Sequence, residues 1–245
     1  KYWQVQSVNL SGITANIAFS FKNPLDVIGS ATTYVPIVYD GSSLLSPNAP
    51  SAPGSNPFSS TGNNYLTGDW TAYDPAVRTT LYSYQSGNWN DPLTWTTDPS
   101  GTTSVFPMVP GAADAVVILN GRNVHTTVSR TVASMGIQSG GTLDMQATTG
   151  NNLGVISGQG LLRLASVNLP AGNITQFVSA SGGTIEYYDL GTGTFVLPTV
   201  APFTNTYNHL LVSNSTSQSF ELRTDASITL NGNFSITRTG SGSPT

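Results

Sequence analysis

Two histidines, ten aspartates and two glutamates are the side chains best suited to proton transfer or hard-metal ligation, and there is no cysteine. His125 and His209 stand far apart, and neither belongs to an H-E-x-x-H or H-x-H pattern that would set two imidazoles on one face. Glycoside hydrolysis needs two carboxyls facing each other about 5–10 Å apart. Glu186 with Glu221, or Glu186 with Asp189, could approach that spacing only if folding brings distant segments together. Asp144, Arg163 and Glu186 recur at similar phases of three related phrases. Acids beside a base would suit a polysaccharide lyase. The simpler expectation is a ladder of alternating charge, worth about 0–1 kcal/mol per exposed pair. Asp91, Asp98 and Asp114 could be offered to calcium, but no EF-hand, RTX or P-loop spacing surrounds them. The sequence therefore assigns no catalytic residue, no metal ligand and no cofactor.

The elements that would position these groups are strands. Helical periodicity does not persist beyond two turns, and glycine and proline are frequent. Residues 2–8 and 13–21 alternate, with Ile13, Ala15, Ile17, Phe19 and Phe21 on one face. With Asn9-Leu-Ser-Gly12 between them they read as a hairpin. Residues 34–39 form a further strand that Pro36 places at an edge. Residues 41–64 are rich in proline and serine and read as a loop or linker, and residues 65–73 return as a strand carrying Trp70. Residues 1–78 are expected to form a β-sandwich-like remnant.

From about residue 113 a different pattern begins. Short apolar strands are expected at 115–119, 134–137, 141–145, 153–156, 161–164, 176–178, 183–187, 209–212, 219–222, 227–230 and 233–236. Three share one phrase, Gly-Gly-Thr-Leu-Asp-Met, Gly-Gln-Gly-Leu-Leu-Arg-Leu and Gly-Gly-Thr-Ile-Glu-Tyr. Their spacing of about 20 residues is the length of one β-solenoid coil. The pattern predicts a right-handed parallel β-helix over 113–245, its inward ladder running Leu143, Leu162, Ile185, Leu211 and Ile228, and a second β-sandwich is the alternative. Residues 79–112 are assigned to a linker and cap. There Ser86-Gly-Asn-Trp-Asn-Asp-Pro-Leu-Thr-Trp95 sets two indoles around a turn. A solenoid end exposes apolar cross-section and strand edges, so it needs a cover. Trp89 and Trp95, with Asp91 and Pro92 reversing the chain, are expected to supply it. A second reading makes Trp89 and Trp95 a sugar-stacking pair.

Composition narrows the class. Of the 245 residues, 8% are charged, and the net charge is −4. An acidic chain with eight scattered basic residues does not suit nucleic acid or an anionic membrane. No run is long enough for a membrane span. Surfaces of Ser, Thr and Asn without cysteine suit a bacterial exported protein. Both ends read as those of a mature, internal piece of a longer chain.

Ser86-Gly-Asn-Trp89, Thr94-Trp95, Pro110-Gly-Ala-Ala-Asp-Ala-Val-Val-Ile118 and Gly121-Arg-Asn-Val124 together resemble a pattern of large Bacteroidota surface proteins. Tyr207-Asn-His-Leu-Leu-Val-Ser-Asn214 and Ala226-Ser-Ile-Thr-Leu-Asn-Gly-Asn-Phe-Ser-Ile236 are similar to a later phrase of the same proteins. The resemblance covers residues 82–236. Ala113 stands where those proteins often carry a second acid. The resemblance implies a repetitive adhesin or gliding-motility protein exported by the type IX secretion system of a Gram-negative bacterium, at the cell surface or outside the cell. It also implies partners in the secretion machinery or outer membrane, and surface polysaccharide as a target. A carbohydrate-binding or carbohydrate-active β-helix is the alternative.

Overall fold

The computed structural model describes residues 3–6, 14–20, 35–39, 44–45, 58–63, 67–73, 80–104, 107–165, 169–189, 193–197, 205–214, 218–221 and 227–238. The chain divides into two compact units, Lys1–Arg78 and Thr79–Thr245. Both are built from strands, and the described residues contain one short 3-10 turn, Pro92–Thr94.

The first unit contains β1 (Trp3–Val5), β2 (Ala15–Phe19), β3 (Val35–Tyr39), β4 (Leu44–Leu45), β5 (Phe58–Asn63) and β6 (Gly68–Tyr73). One antiparallel sheet runs in the order β1-β6-β3-β4, and β2 pairs antiparallel with β5. The expected hairpin of residues 2–21 does not form. β1 pairs with β6, while β2 belongs to the other sheet. Alternation fixes which face of a strand is apolar, and it does not choose the partner. The apolar faces meet instead: Trp3 stacks on Phe19 with ring centroids 4.6 Å apart, and Phe19, Val38 and Trp70 form the core. The 41–64 stretch is also more than a linker, since its two ends supply β4 and β5. Pro36 predicts an edge position for residues 34–39, but β3 lies between β6 and β4 in the sheet, with β4 pairing to Val38 and Tyr39 among the described residues. The Asn9–Gly12 turn lies outside the described residues.

The second unit is a parallel β-helix. One of its sheets contains β7 (Thr80–Ser83), β10 (Ala115–Ile118), β12 (Ser134–Ile137), β14 (Asn152–Gly158) and β16 (Ala171–Asn173), all parallel, with β9 (Trp95–Thr96) antiparallel to β7 at its end. The other sheet contains β8 (Gly87–Asn88), β11 (Asn123–His125), β13 (Thr142–Asp144), β15 (Leu161–Leu164) and β17 (Thr184–Tyr188). It continues through β20 (His209–Asn214) to β23 (Phe234–Arg238). β18 (Gly193–Val196) pairs with β21 (Gln218–Glu221), and β19 (Thr206–Tyr207) with β22 (Thr229–Leu230), again parallel.

Successive coils place like residues above one another. Val124, Leu143, Leu162, Ile185 and Leu210 form one inward column, and Phe234 continues its register while 38% exposed. Val116, Met135 and Ile156 form the matching column of the other sheet. The expected inward column departs from this at its end. Leu211 pairs with Glu186 on the outer face and Leu210 points inward. Phe234 takes the place predicted for Ile228, which packs against the core from a partly buried position. A Leu-Leu doublet fits either register, and a shift of one residue reverses the face.

Two more expectations change. Residues 176–178 form a turn, with Val178 N–H bonded to Ile174 C=O, although Phe177 is buried. The helix also begins earlier than residue 113, because β7 and β8 already pair parallel with β10 and β11.

The shared glycine phrase has a steric cause. Gly141, Gly160 and Gly183 stack at one corner, where Gly160 C=O accepts from Thr184 N–H. A Cβ on Gly160 would lie 2.4 Å from Gln138 O, and one on Gly183 2.6 Å from Gly160 O. The next coil has Asn208 near this corner, its carboxamide bonded to Gly182 O at 2.7 Å.

Candidate functional site

The two tryptophans of the second unit lie where the helix starts. Trp89 N–H donates to His125 O at 2.8 Å, which ties the segment to the second coil. Asn88 Oδ1 accepts from Asn90 N–H, and Asp91 Oδ1 accepts from Leu93 N–H, with Pro92 opening the 3-10 turn. Pro92 suits that position because it has no N–H to satisfy. The chain then returns as β9 beside β7. Both indoles are completely buried in the β-helix core, edge to face with centroids 4.9 Å apart. Trp95 Nε1–H donates to Trp89 O at 2.9 Å. Burying each indole contributes roughly 4–6 kcal/mol of transfer free energy. The sugar-stacking assignment of Trp89 and Trp95 fails on this burial, since stacking on a sugar needs an exposed ring face. Asp91 and Pro92 shape the turn between the two indoles.

The outer face of the second sheet carries the main polar assembly. Asp144, Arg163 and Glu186 are aligned in register on β13, β15 and β17. Arg163 NH1 lies 3.2 Å from Asp144 Oδ2, and its Nε lies 2.6 Å from Glu186 Oε2. Partial burial works against the guanidinium charge, but the Glu186 hydrogen bond and the two carboxylates hold its pKa above the ordinary arginine value. Tyr188, two residues beyond Glu186 on the same face, lies over the guanidinium at 4.1 Å and donates to Asp144 Oδ1 at 2.7 Å. Ser213 Oγ–H on β20 donates to Glu186 Oε1. Burial, then the bond to Asp144, pushes the Tyr188 hydroxyl well above its usual range. Asp144 and Glu186 are themselves buried, so this is not an exposed ladder.

Sequence reasoning found the three charges and missed Tyr188 and Ser213. The signal for Tyr188 was its even spacing from Glu186, which puts both on one face of a strand. Chemically the assembly is closed. Both carboxylates are engaged by the same guanidinium, and the tyrosine is held protonated. The other candidate pairs gain nothing: Asp189 follows β17 with φ of 48°, and the Glu221 side chain lies outside the described residues.

The remaining candidates are dispersed. His209 Nδ1 accepts from Asn233 N–H at 3.0 Å, and His125 stands in register between Asn88 and Asp144. Asp114 Oδ2 accepts from Gly111 N–H at 2.8 Å. Asp98, partly exposed, accepts from Ser100, Thr103 and Thr102, bonds that lower its pKa to about 2. Among the described residues no three His, Asp or Glu side chains are grouped to hold a metal ion. No helix among them is long and apolar enough to cross a membrane.

No protein-family model, curated protein or solved structure matches this chain.

Proposed function

We propose that the chain is a non-enzymatic structural segment of an exported bacterial surface protein, an adhesin or gliding-associated rod carried by type IX secretion. The observation that supports this most is where the residues of the surface-protein resemblance sit. Trp89 and Trp95 fill the core, and Asp114 closes the turn before β10. Val116, Ile118 and Val124 line the inward columns. The signature is spent on building a stiff stack of coils, as expected of a spacer that carries load or displays a surface. The low charge and the hydroxyl-rich composition agree with an extracellular setting.

The carbohydrate-active alternative draws less support, because the acids it would use are bound to Arg163. Partners on this reading are the export machinery, outer-membrane proteins and surface polysaccharide.

The reading is tested with an antibody to this chain on intact and permeabilised cells of the source organism, with and without external protease. Labelling of intact cells that protease removes is the expected result. Signal confined to permeabilised cells overturns it.

A further inference from the structure

Two neighbouring corner loops, 126–131 and 145–151, are joined by buried polar bonds. Thr126, fully buried, shares a 3.1 Å hydroxyl contact with Thr148. Thr148 Oγ1–H donates to Met145 O at 2.6 Å, and Asn151 Nδ2 donates to Thr148 O at 3.2 Å. Asn151 Oδ1 accepts from Arg130 N–H at 2.8 Å. These bonds fix the loops to each other across two coils.

Above this floor lies an open groove of about 420 Å³, lined by Thr127, Val128, Ser129, Gln146, Ala147 and Thr149 as well as Thr148. It is shallow and open, with Thr127, Val128, Ser129, Ala147 and Thr149 exposed along it. The side chains of Thr127, Ser129, Gln146 and Thr149 make no hydrogen bond to any described residue, in contrast to the saturated floor. Val128 is half exposed, an apolar surface beside those polar groups. Gln146 holds φ at 49°, a left-handed conformation that disfavours a side chain, yet the position carries a carboxamide at the groove. No charged side chain lines it.

We infer that this groove binds a neutral saccharide. Hydroxyls and a carboxamide can both donate and accept, as sugar hydroxyls require. Val128 and Ala147 offer an aliphatic surface to the sugar's C–H face. A uronate or phosphate would find no cation to offset its desolvation. The lining has no aromatic ring, so one site binds weakly, and tight attachment would need many copies. This inference rests on the surface-polysaccharide partner named above and gives it a site, while the surface location is read separately by the antibody test.

The test follows backbone amide NMR shifts of the whole chain during titration with glucose, galactose, mannose and maltose, with glucuronate as the charged control. Saturable shifts confined to residues 127–129 and 146–149, with a Kd of roughly 1–50 mM for at least one neutral sugar, are expected. Gln146→Gly keeps the backbone conformation favourable while deleting the carboxamide, and should weaken binding about fivefold without lowering the unfolding midpoint. Val128→Asp, at an exposed position, should also weaken it. The inference is overturned if no neutral sugar gives saturable shifts at about 100 mM. It is equally overturned if glucuronate binds as well, or if both variants bind like the parent chain.

Discussion

The Tyr188 hydroxyl reaches Asp144 Oδ1 at 2.7 Å from two coils away, with the Arg163 guanidinium beneath its ring. One aromatic side chain thereby clamps three successive strands on their outer face. Arg163→Ala should expose how much the clamp matters. It leaves two buried carboxylates without their cation, and a loss of about 3 kcal/mol in urea unfolding is expected at pH 7. Arg163→Met, which restores bulk without charge, should recover only part of it.

The indoles should respond unequally. Trp95 donates to Trp89 O, whereas Trp89 Nε1 has no partner among the described residues. Trp95→Phe strands a buried carbonyl and Trp89→Phe removes an unsatisfied donor, so the first should cost about 1–2 kcal/mol more than the second. Either change to Ala should cost about 3–5 kcal/mol. Chemical denaturation of the β-helix transition measures both.

Alkaline pH should destabilise the chain. Burial holds the Tyr187 and Tyr207 hydroxyls, 3.4 Å apart in the core, above their usual pKa. Their ionisation is easier in the unfolded chain. Stability is therefore constant below about pH 10 and falls as pH rises above it, by up to about 1.4 kcal/mol per pH unit for each tyrosine. Tyr187→Phe should flatten that slope in urea titrations at pH 9 to 11.

Two glycine substitutions separate crowding from backbone conformation. Gly121 has φ of 74° and nothing within 4 Å of the place a methyl group would occupy, so Gly121→Ala should cost about 1–2 kcal/mol. Gly160 lies outside the left-handed region, but three atoms stand within 2.7 Å of its methyl position, so Gly160→Ala must displace backbone and should cost clearly more. Thermal unfolding of the two variants compares them directly.

The coil architecture was legible because the Gly-x-Leu/Ile phrase recurs with its apolar residue at a fixed offset, and Leu143, Leu162 and Ile185 do stack. The register failed at Leu210-Leu211, where the pattern allows two answers and long-range bonds such as Asn208 to Gly182 accompany the one adopted. β1 and β2 were readable as strands but not as members of opposite sheets, because partner choice depends on contacts far along the chain. The charged column was visible from phase alone. Its burial was not, since that depends on Tyr188 folding across it. The corner groove gave no sequence signal, because unbonded threonines look like any polar loop.

Two consecutive coils advance by the same step: Thr126 meets Met145 and Asp144 meets Arg163, each 19 residues on, whereas Arg163 meets Glu186 only after 23. Equal steps on the second sheet make its early strands interchangeable units of inheritance, although the first sheet steps 19 and then 21 residues. A gene duplication or deletion of the 19 codons from Asn123 would lengthen or shorten the protein while the column Val124, Leu143 and Leu162 stayed in register, whereas the same event across Ser134 and Val155, 21 residues apart, would shift the other sheet.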